Sequence, residues 1–277
     1  MLDLKFVVEN IDFVYEKLSQ RNGDFSYLYD LVDLSEERKR LIMDVEAKKA
    51  LRNDQSKKIG ELKRQKLDAT HILNEVANLG DEIKSLDQEL KDCEQKIFDL
   101  LAITPNLPNE SVPVGKDESA NVEIRTWGKP RQFDFEVKDH VALGESLGIL
   151  DFERAAKITG TLFVVDRGLG ARLERALIQF MMDLHAHEHG YTEIIPPFIV
   201  NEKSMFATGQ FPKFKEDSFK VIAGDNDWYL NPTAEVPTIN LYRDEIISMT
   251  DLPYYFVSYT TAFRSEAGSA GRDTRGI

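Results

Sequence analysis

Cysteine, excess basic charge and long apolar runs are all scarce in this sequence of 277 residues, and each scarcity removes a class of protein. The single cysteine, Cys93, excludes an internal disulfide and any cysteine-based zinc cluster, so no zinc is expected. A reducing cytoplasm is the simplest compartment for such a chain. No apolar run approaches the ~20 residues that span a bilayer. The opening residues, Met1 to Phe6, carry an acid and lack a basic stretch followed by an apolar one, so they do not read as a secretory leader, and no membrane partner is expected. The net charge of −13 argues against binding a polyanion over the whole surface, while leaving room for a local basic stripe. Proline is absent from residues 28–101, where only helix suits so long an uninterrupted polar and apolar pattern.

What is present divides by texture. Residues 3–20 predict an amphipathic helix closed by Asn22-Gly23. In the proline-free stretch, Val76, Leu79, Ile83, Leu86, Leu90, Cys93, Ile97 and Leu100 alternate at spacings of three and four, the seam of a coiled coil. Leu34, Leu41, Val45, Ile59 and Leu62 continue that seam in the first half, with polar Lys48, Arg52 and Gln55 at its middle positions. A turn falls at Lys66–Thr70, with Asp68 or Thr70 able to cap the second helix. Two helices joined this way run antiparallel, and ~35 residues at ~1.5 Å each give an arm about 50 Å long. Ser35–Lys66 carries 11 Lys/Arg against 6 Asp/Glu, a net of +5; Leu67–Leu101 carries 3 against 9, a net of −6. The basic helix suits a phosphate backbone, and equally suits neutralisation of its acidic partner; charge alone does not choose.

Pro105, Pro108, Pro113 and Gly115 mark a linker, giving an organisation of helical arm 1–103, linker 104–120 and a second domain 121–277. That second domain has strand-like runs at Thr161–Val165, Ile194–Val200, Phe219–Ile222, Trp228–Leu230 and Tyr254–Phe263, and one long helix over Ala171–Glu188. Strands that do not alternate regularly with helices predict an α+β domain with a largely antiparallel sheet.

Several segments carry a resemblance. Residues 104–130 (TPNLPNESVPVGKDESANVEIRTWGKP), 151–185, 231–247 (NPTAEVPTINLYRDEII) and 259–277 (YTTAFRSEAGSAGRDTRGI) together resemble the bacterial-type seryl-tRNA synthetases over essentially the whole chain. The resemblance implies a class II aminoacyl-tRNA synthetase: an antiparallel coiled-coil arm, an antiparallel-sheet catalytic domain and a homodimer. It implies ATP-dependent ligation of L-serine to serine tRNA through a seryl-adenylate, with magnesium accompanying ATP. The arm would meet the long variable arm of serine tRNA through Lys48, Lys49, Arg52, Lys57, Lys58, Lys63 and Arg64, reading shape and phosphates, with interhelical pairing alongside.

Residue roles follow from the same resemblance. Phe263-Arg264-Ser265-Glu266 matches motif 2, making Arg264 the catalytic cation and Arg264, Ser265 and Glu266 the ATP-binding set. A planar guanidinium can hold an α-phosphate and the carboxylate that attacks it. Thr233, Ala234 and Glu235 match the serine-binding segment, and Thr233 could also cap a helix. Gly268–Arg275 matches the motif 2 loop, where Arg272 and Arg275 would reach ATP and the tRNA acceptor end. The Ala171–Glu188 helix with Tyr191–Val200 matches motif 1, whose interface proline is taken as Pro197, with Pro196 the alternative. The resemblance places Ile277 inside the motif 2 loop, so the return strand and motif 3 would lie outside this sequence and the catalytic domain would be incomplete. A non-catalytic tRNA-binding fragment is therefore the alternative function. A coiled-coil scaffold would not need the Thr-Ala-Glu and Phe-Arg-Ser-Glu segments, and synthetase relatives that load carrier proteins lack this arm. His185, His187 and His189 are read as surface histidines, of which only His185 and His189 share a helix face; Gly168 and Gly170 are read as turn glycines before the motif 1 helix.

Overall fold

The computed structural model describes residues 1–265, and the chain divides into two compact units, Met1–Trp127 and Gly128–Ile277. The first unit is helical. In place of one helix over residues 3–20 stand α1 (Leu4–Glu9) and α2 (Ile11–Ser19), parted at Asn10, whose φ of −130° and ψ of 37° are not helical. The Asn10 side chain donates to the Phe6 carbonyl, so an asparagine offers the backbone an alternative to continuing the helix. Asp3 caps α1 by accepting from the Phe6 amide. Asn22 then takes the left-handed conformation (φ 56°), ending the segment as the Asn-Gly pair predicts.

The hairpin follows as α3 (Asp30–Arg64) and α4 (Thr70–Ile103). Asp68 accepts from both the amide and the hydroxyl of Thr70, satisfying a first-turn donor of α4 from outside the helix. The arm is apolar at its base and polar further out. At the base, Val7, Val14, Leu18, Phe25, Leu28, Leu31 and Leu41 enclose Cys93, Ile97 and Leu101 in one core. Each such aliphatic side chain taken from water contributes roughly 1.5–3 kcal/mol. Beyond Leu41 and Cys93 the only buried residues of the hairpin are Val45, Ile59, Ala69 and Ile83, while Lys48, Arg52 and Gln55 lie half-buried on the seam. The proline-rich segment folds back on this unit: Leu107 packs against its core, and the Asn22 side chain donates to the Gly115 carbonyl at 2.7 Å.

The second unit mixes short helices with small sheets. It contains α5 (His140–Ser146), β1 (Leu150–Asp151), α6 (Phe152–Ile158), β2 (Val165–Asp166), α7 (Leu169–Asp183), β3 (Thr192–Glu193), β4 (Ile199–Asn201) and α8 (Glu202–Ala207). After these come β5 (Lys220–Ala223), β6 (Asn226–Leu230), α9 (Glu235–Ile239) and β7 (Phe256–Val257). The main sheet has the order β4-β6-β5 and is antiparallel throughout, with Val200 opposite Tyr229 and Val221 opposite Trp228. β1 pairs antiparallel with β2, and β3 pairs parallel with β7. The α+β architecture predicted from the sequence is therefore present, with shorter strands. Leu162 takes φ 74°, which stops the Thr161 run from pairing before Val165. Pro196 and Pro197 remove two ladder donors and split the Ile194 run.

Side chains cap the short helices where hydrophobic periodicity is too brief to announce them: Asp139 for α5, Asp151 for α6 and Asn201 for α8. Gly168, with φ 55°, starts α7, and Gly170 lies inside its first turn, where a Cβ would come within 2.7 Å of the Ile149 carbonyl. The α7 helix ends in a π turn over Leu184–Glu188. The unit's core is small: Val200, Met205, Phe211, Tyr229 and Val236.

Candidate active site

β6 leads directly into the segment expected to bind serine. Asn231, fully buried, ties that segment to the stretch that carries Arg264: its Nδ2 donates to Thr260 Oγ1 at 2.9 Å and to the Thr233 carbonyl at 3.3 Å. Its backbone accepts from the Phe263 amide and donates to the Phe198 carbonyl. Its Oδ1 has no hydrogen-bond partner among the described residues, a burial that costs free energy and calls for a donor. Arg264 Nε donates to the Pro232 carbonyl at 3.3 Å. Ser265 donates through its amide and its hydroxyl to the Asp217 carbonyl. Two segments some thirty residues apart are thus brought side by side, and Arg264 is anchored by Nε alone. Among the described residues its Nη groups have no partner, so they are available to an oxyanion.

α9 starts at Glu235, one residue later than a Thr233 cap would require. Ala234 occupies the cap position, and the Thr233 hydroxyl accepts from the Glu235 amide at 3.4 Å. Glu235 is exposed, and Ala234 and Glu235 line a cavity of about 420 Å³ with His185, Tyr191, Thr238, Phe256 and Ser258. Thr233 and Arg264 do not line it. His185 and His189 meet at 3.0 Å between their Nδ1 atoms, so one ring donates and the other accepts. Tyr191 sits edge-on to His185 at 5.6 Å between ring centroids. Among the described residues no three His, Cys, Asp or Glu side chains gather to hold a metal ion.

The far end of α9 is held by polar side chains that hydrophobic patterning does not reveal. Asn240 donates to the Val236 carbonyl and to the Ser204 carbonyl of α8, and accepts from Arg243 Nη1 at 2.8 Å. The same Arg243 nitrogen donates to Ser204 Oγ at 3.0 Å. Asn201, the cap of α8, accepts from both the amide and the hydroxyl of Ser204. An Asn and an Arg three apart at the end of a short helix were the only sequence signal for this network.

The seven basic candidates on the arm separate into groups. Lys48 pairs with Glu82 and Lys49 with Asp87 at 3.0 Å across the hairpin, as Arg38 does with Glu94 at 2.8 Å. Lys58 pairs with Asp54 one turn back in its own helix. That hydrogen bond raises the Lys58 ammonium pKa and lowers that of the Asp54 carboxyl. Among the described residues Arg52, Lys57, Lys63 and Arg64 have no acid within ion-pair distance. Pro196 is buried and Pro197 exposed, the latter lining a second cavity of about 520 Å³ with Ile199, Trp228, Pro237 and Arg243. Glu266, Arg272 and Arg275 lie outside the described residues.

A helical hairpin preceding a small antiparallel sheet, with an arginine-bearing segment lodged beside Asn231–Glu235, is the organisation of a class II aminoacyl-tRNA synthetase with a helical arm. Residues 219–277 match the tRNA synthetase class II core domain (G, H, P, S and T), and residues 1–108 match the seryl-tRNA synthetase N-terminal domain. The serine–tRNA ligase of Acholeplasma laidlawii is 66% identical over all 277 residues, and that of onion yellows phytoplasma 54%. A crystal structure of seryl-tRNA synthetase from Pyrococcus horikoshii complexed with ATP superposes on the whole chain with a TM-score of 0.82 at 33% identity, and the chain covers 66% of it. The chain belongs to the seryl-tRNA synthetase family, as its motifs imply. It spans 65% of the length of the curated relatives it matches.

Proposed function

We propose that the protein of this chain ligates L-serine to serine tRNA at the expense of ATP, in the cytoplasm, with residues 1–103 as the tRNA-binding arm, 104–120 as linker and 121–277 as part of the catalytic domain. The observation that carries this reading is the anchoring of Arg264 on the carbonyl of Pro232, immediately before Thr233-Ala234-Glu235. It sets a two-pronged cation beside the segment that would hold the amino acid, in a chain whose relatives are named serine–tRNA ligases.

In this reading the serine carboxylate attacks the α-phosphorus of ATP. The carboxylate–phosphorus bond forms, the bond to the pyrophosphate oxygen breaks, and seryl-adenylate and pyrophosphate result. A terminal ribose hydroxyl of the tRNA then attacks the seryl carbonyl and AMP leaves. Negative charge accumulates on the α-phosphate oxygens, and fixed cations stabilise it best because they need no reorganisation. The Arg264 Nη groups would supply that charge, with Ser265 and Glu266 beside the nucleotide and Arg272 and Arg275 toward ATP and the acceptor end. Glu235 would meet the serine ammonium and Thr233 its hydroxyl, so that an amino acid lacking the hydroxyl leaves a polar group unpaired. Magnesium is expected to accompany ATP, and among the described residues no three His, Cys, Asp or Glu side chains gather to hold it.

A homodimer is part of the proposal. Leu169, Leu173, Leu177, Phe180 and Met181 form an exposed apolar stripe along α7, and exposed Pro197 borders the second cavity. A stripe of that width on a helix asks for a covering surface.

Serine-dependent exchange of labelled pyrophosphate into ATP tests the proposal, with threonine and alanine in parallel. Exchange with serine alone, lost by at least about a hundredfold in Arg264→Ala, is the expected result. Folded chain that binds serine tRNA without any exchange would leave the non-catalytic tRNA-binding reading in its place.

A further inference from the structure

We infer that Asn240 and Arg243 are positioning residues for the serine-binding segment: with Ser204 they form a polar clamp that fixes the rotation of α9 and thereby the direction in which Glu235 faces. The inference rests on the proposed serine-ligating function for its catalytic consequence, and on geometry alone for the clamp.

Three observations meet at this point. First, α9 has only five residues, too few to hold its own orientation by intrahelical bonds, because a helix of that length is nearly all terminus. Second, it is gripped on two sides. Val236, next to Glu235 and fully buried, enters the apolar core beside Met205 of α8. On the other side Asn240 spends both amide protons, one on the Val236 carbonyl of α9 and one on the Ser204 carbonyl of α8. Third, the clamp is continuous. Asn240 Oδ1 takes its hydrogen bond from Arg243, whose same nitrogen reaches Ser204 Oγ, and Ser204 passes its own proton to Asn201. The bonds that link Arg243 to Asn240, Arg243 to Ser204 and Ser204 to Asn201 run in one direction, the arrangement in which a polar network favours a single geometry.

The contrast with Asn231 at the other end is instructive, since that residue keeps an unpartnered Oδ1. The clamp holds the C-terminal end of α9, while Asn231 holds the segment that leads into it. Glu235 is carried by the first turn of α9 and lines the cavity with His185, Tyr191 and Ser258. A rotation of α9 by one residue's angular step, about 100°, would turn it away from that wall. Arg243 touches none of the residues expected to hold substrate. It acts through Asn240.

Amide hydrogen exchange decides the clamp independently of any activity. In Arg243→Met, which keeps the aliphatic stem, exchange over residues 233–239 should rise about tenfold while residues 220–230 stay as in the parent; Lys220→Ala serves as the control that disturbs the sheet and not α9. Unchanged exchange over 233–239, or an equal rise over both stretches, overturns the inference. In pyrophosphate exchange the same variant should raise KM for serine about tenfold, with KM for ATP and kcat within about twofold of the parent. Arg243→Lys, which restores one donor, should recover part of that loss. A fall in kcat with KM for serine unchanged counts against positioning. Absence of serine-dependent exchange in the parent chain counts against the proposed function instead, and leaves hydrogen exchange to decide the clamp.

Discussion

The two compact units bury apolar surface to very different degrees. In the helical unit, Val7, Val14, Leu18, Leu28 and Leu31 are all inaccessible to solvent, and the core encloses contributions from α1, α2, α3 and α4. Among the described residues of the sheet unit five apolar side chains form the core, while α7 presents Leu169, Leu173, Leu177, Phe180 and Met181 to solvent. The helical unit gathers contributions from all its helices into one core, whereas the sheet unit leaves an apolar stripe along one long helix uncovered. Specificity within the sheet unit comes from polar contacts: Ser204, Asn231, Asn240 and Arg243 each hold two segments together.

The largest break in this comparison should come from truncating one core at a time. Leu28→Ala and Met205→Ala should each cost about 2–5 kcal/mol. Helical circular dichroism would report the first, and fluorescence of Trp228, on β6, the second. If the units differ as described, Met205→Ala lowers the Trp228 transition and leaves the helical signal's midpoint nearly in place. A shared shift of both signals would show that the two cores unfold as one.

A smaller effect separates the halves of the arm. Replacing Lys57, Lys63 and Arg64 by alanine should lower affinity for serine tRNA and reduce the salt dependence of binding, by about one unit of slope for every phosphate no longer neutralised. Lys48→Ala with Lys49→Ala should instead cost the hairpin about 0.2–1 kcal/mol per pair in thermal melts, with a lesser change in salt slope. Equal slopes for the two sets would erase the division between pairing and free cations.

The smallest is local to β1 and α6. Asp151 accepts from the Arg154 amide and guanidinium, which hold its carboxyl below the usual range, with Arg167 adding to the effect at 3.5 Å. A depressed folded pKa contributes stability above the unfolded value, ~3.9, and that stability is lost as pH falls through the folded value. Asp151→Ala should lower the midpoint of the sheet unit by about 2–4 °C at pH 7, and the difference from the parent should shrink below about pH 4.

Much of the arm was legible in the sequence because a helical seam repeats. All eight seam positions from Val76 to Leu100 are buried or half-buried, and the polar trio Lys48, Arg52 and Gln55 sits where the spacing put it. The break at Asn10 was not legible, since one side-chain bond to Phe6 decides it against an otherwise continuous apolar pattern. In the sheet unit β5 and β6 fall on the strand-like runs Phe219–Ile222 and Trp228–Leu230. α5, α6 and α8 escaped because six or seven residues carry less than two periods of any pattern. Motif resemblance pointed to Thr233–Glu235 and Arg264, but not to the side chains that hold them. Asn231, Asn240 and Arg243 act through tertiary hydrogen bonds whose partners lie up to 39 residues away.

The hairpin's graded construction has a mechanical side. Its outer reach, beyond Leu41, is a beam about 35 Å long, clamped at the base where Leu28, Leu31, Leu41, Ile97 and Leu101 interlock. At that length a tilt of roughly 5° at the clamp sweeps the tip by about 3 Å, the span of a hydrogen bond. Where Lys63 and Arg64 point is therefore settled at the far end of the lever, by methyl groups that never meet whatever the tip grasps.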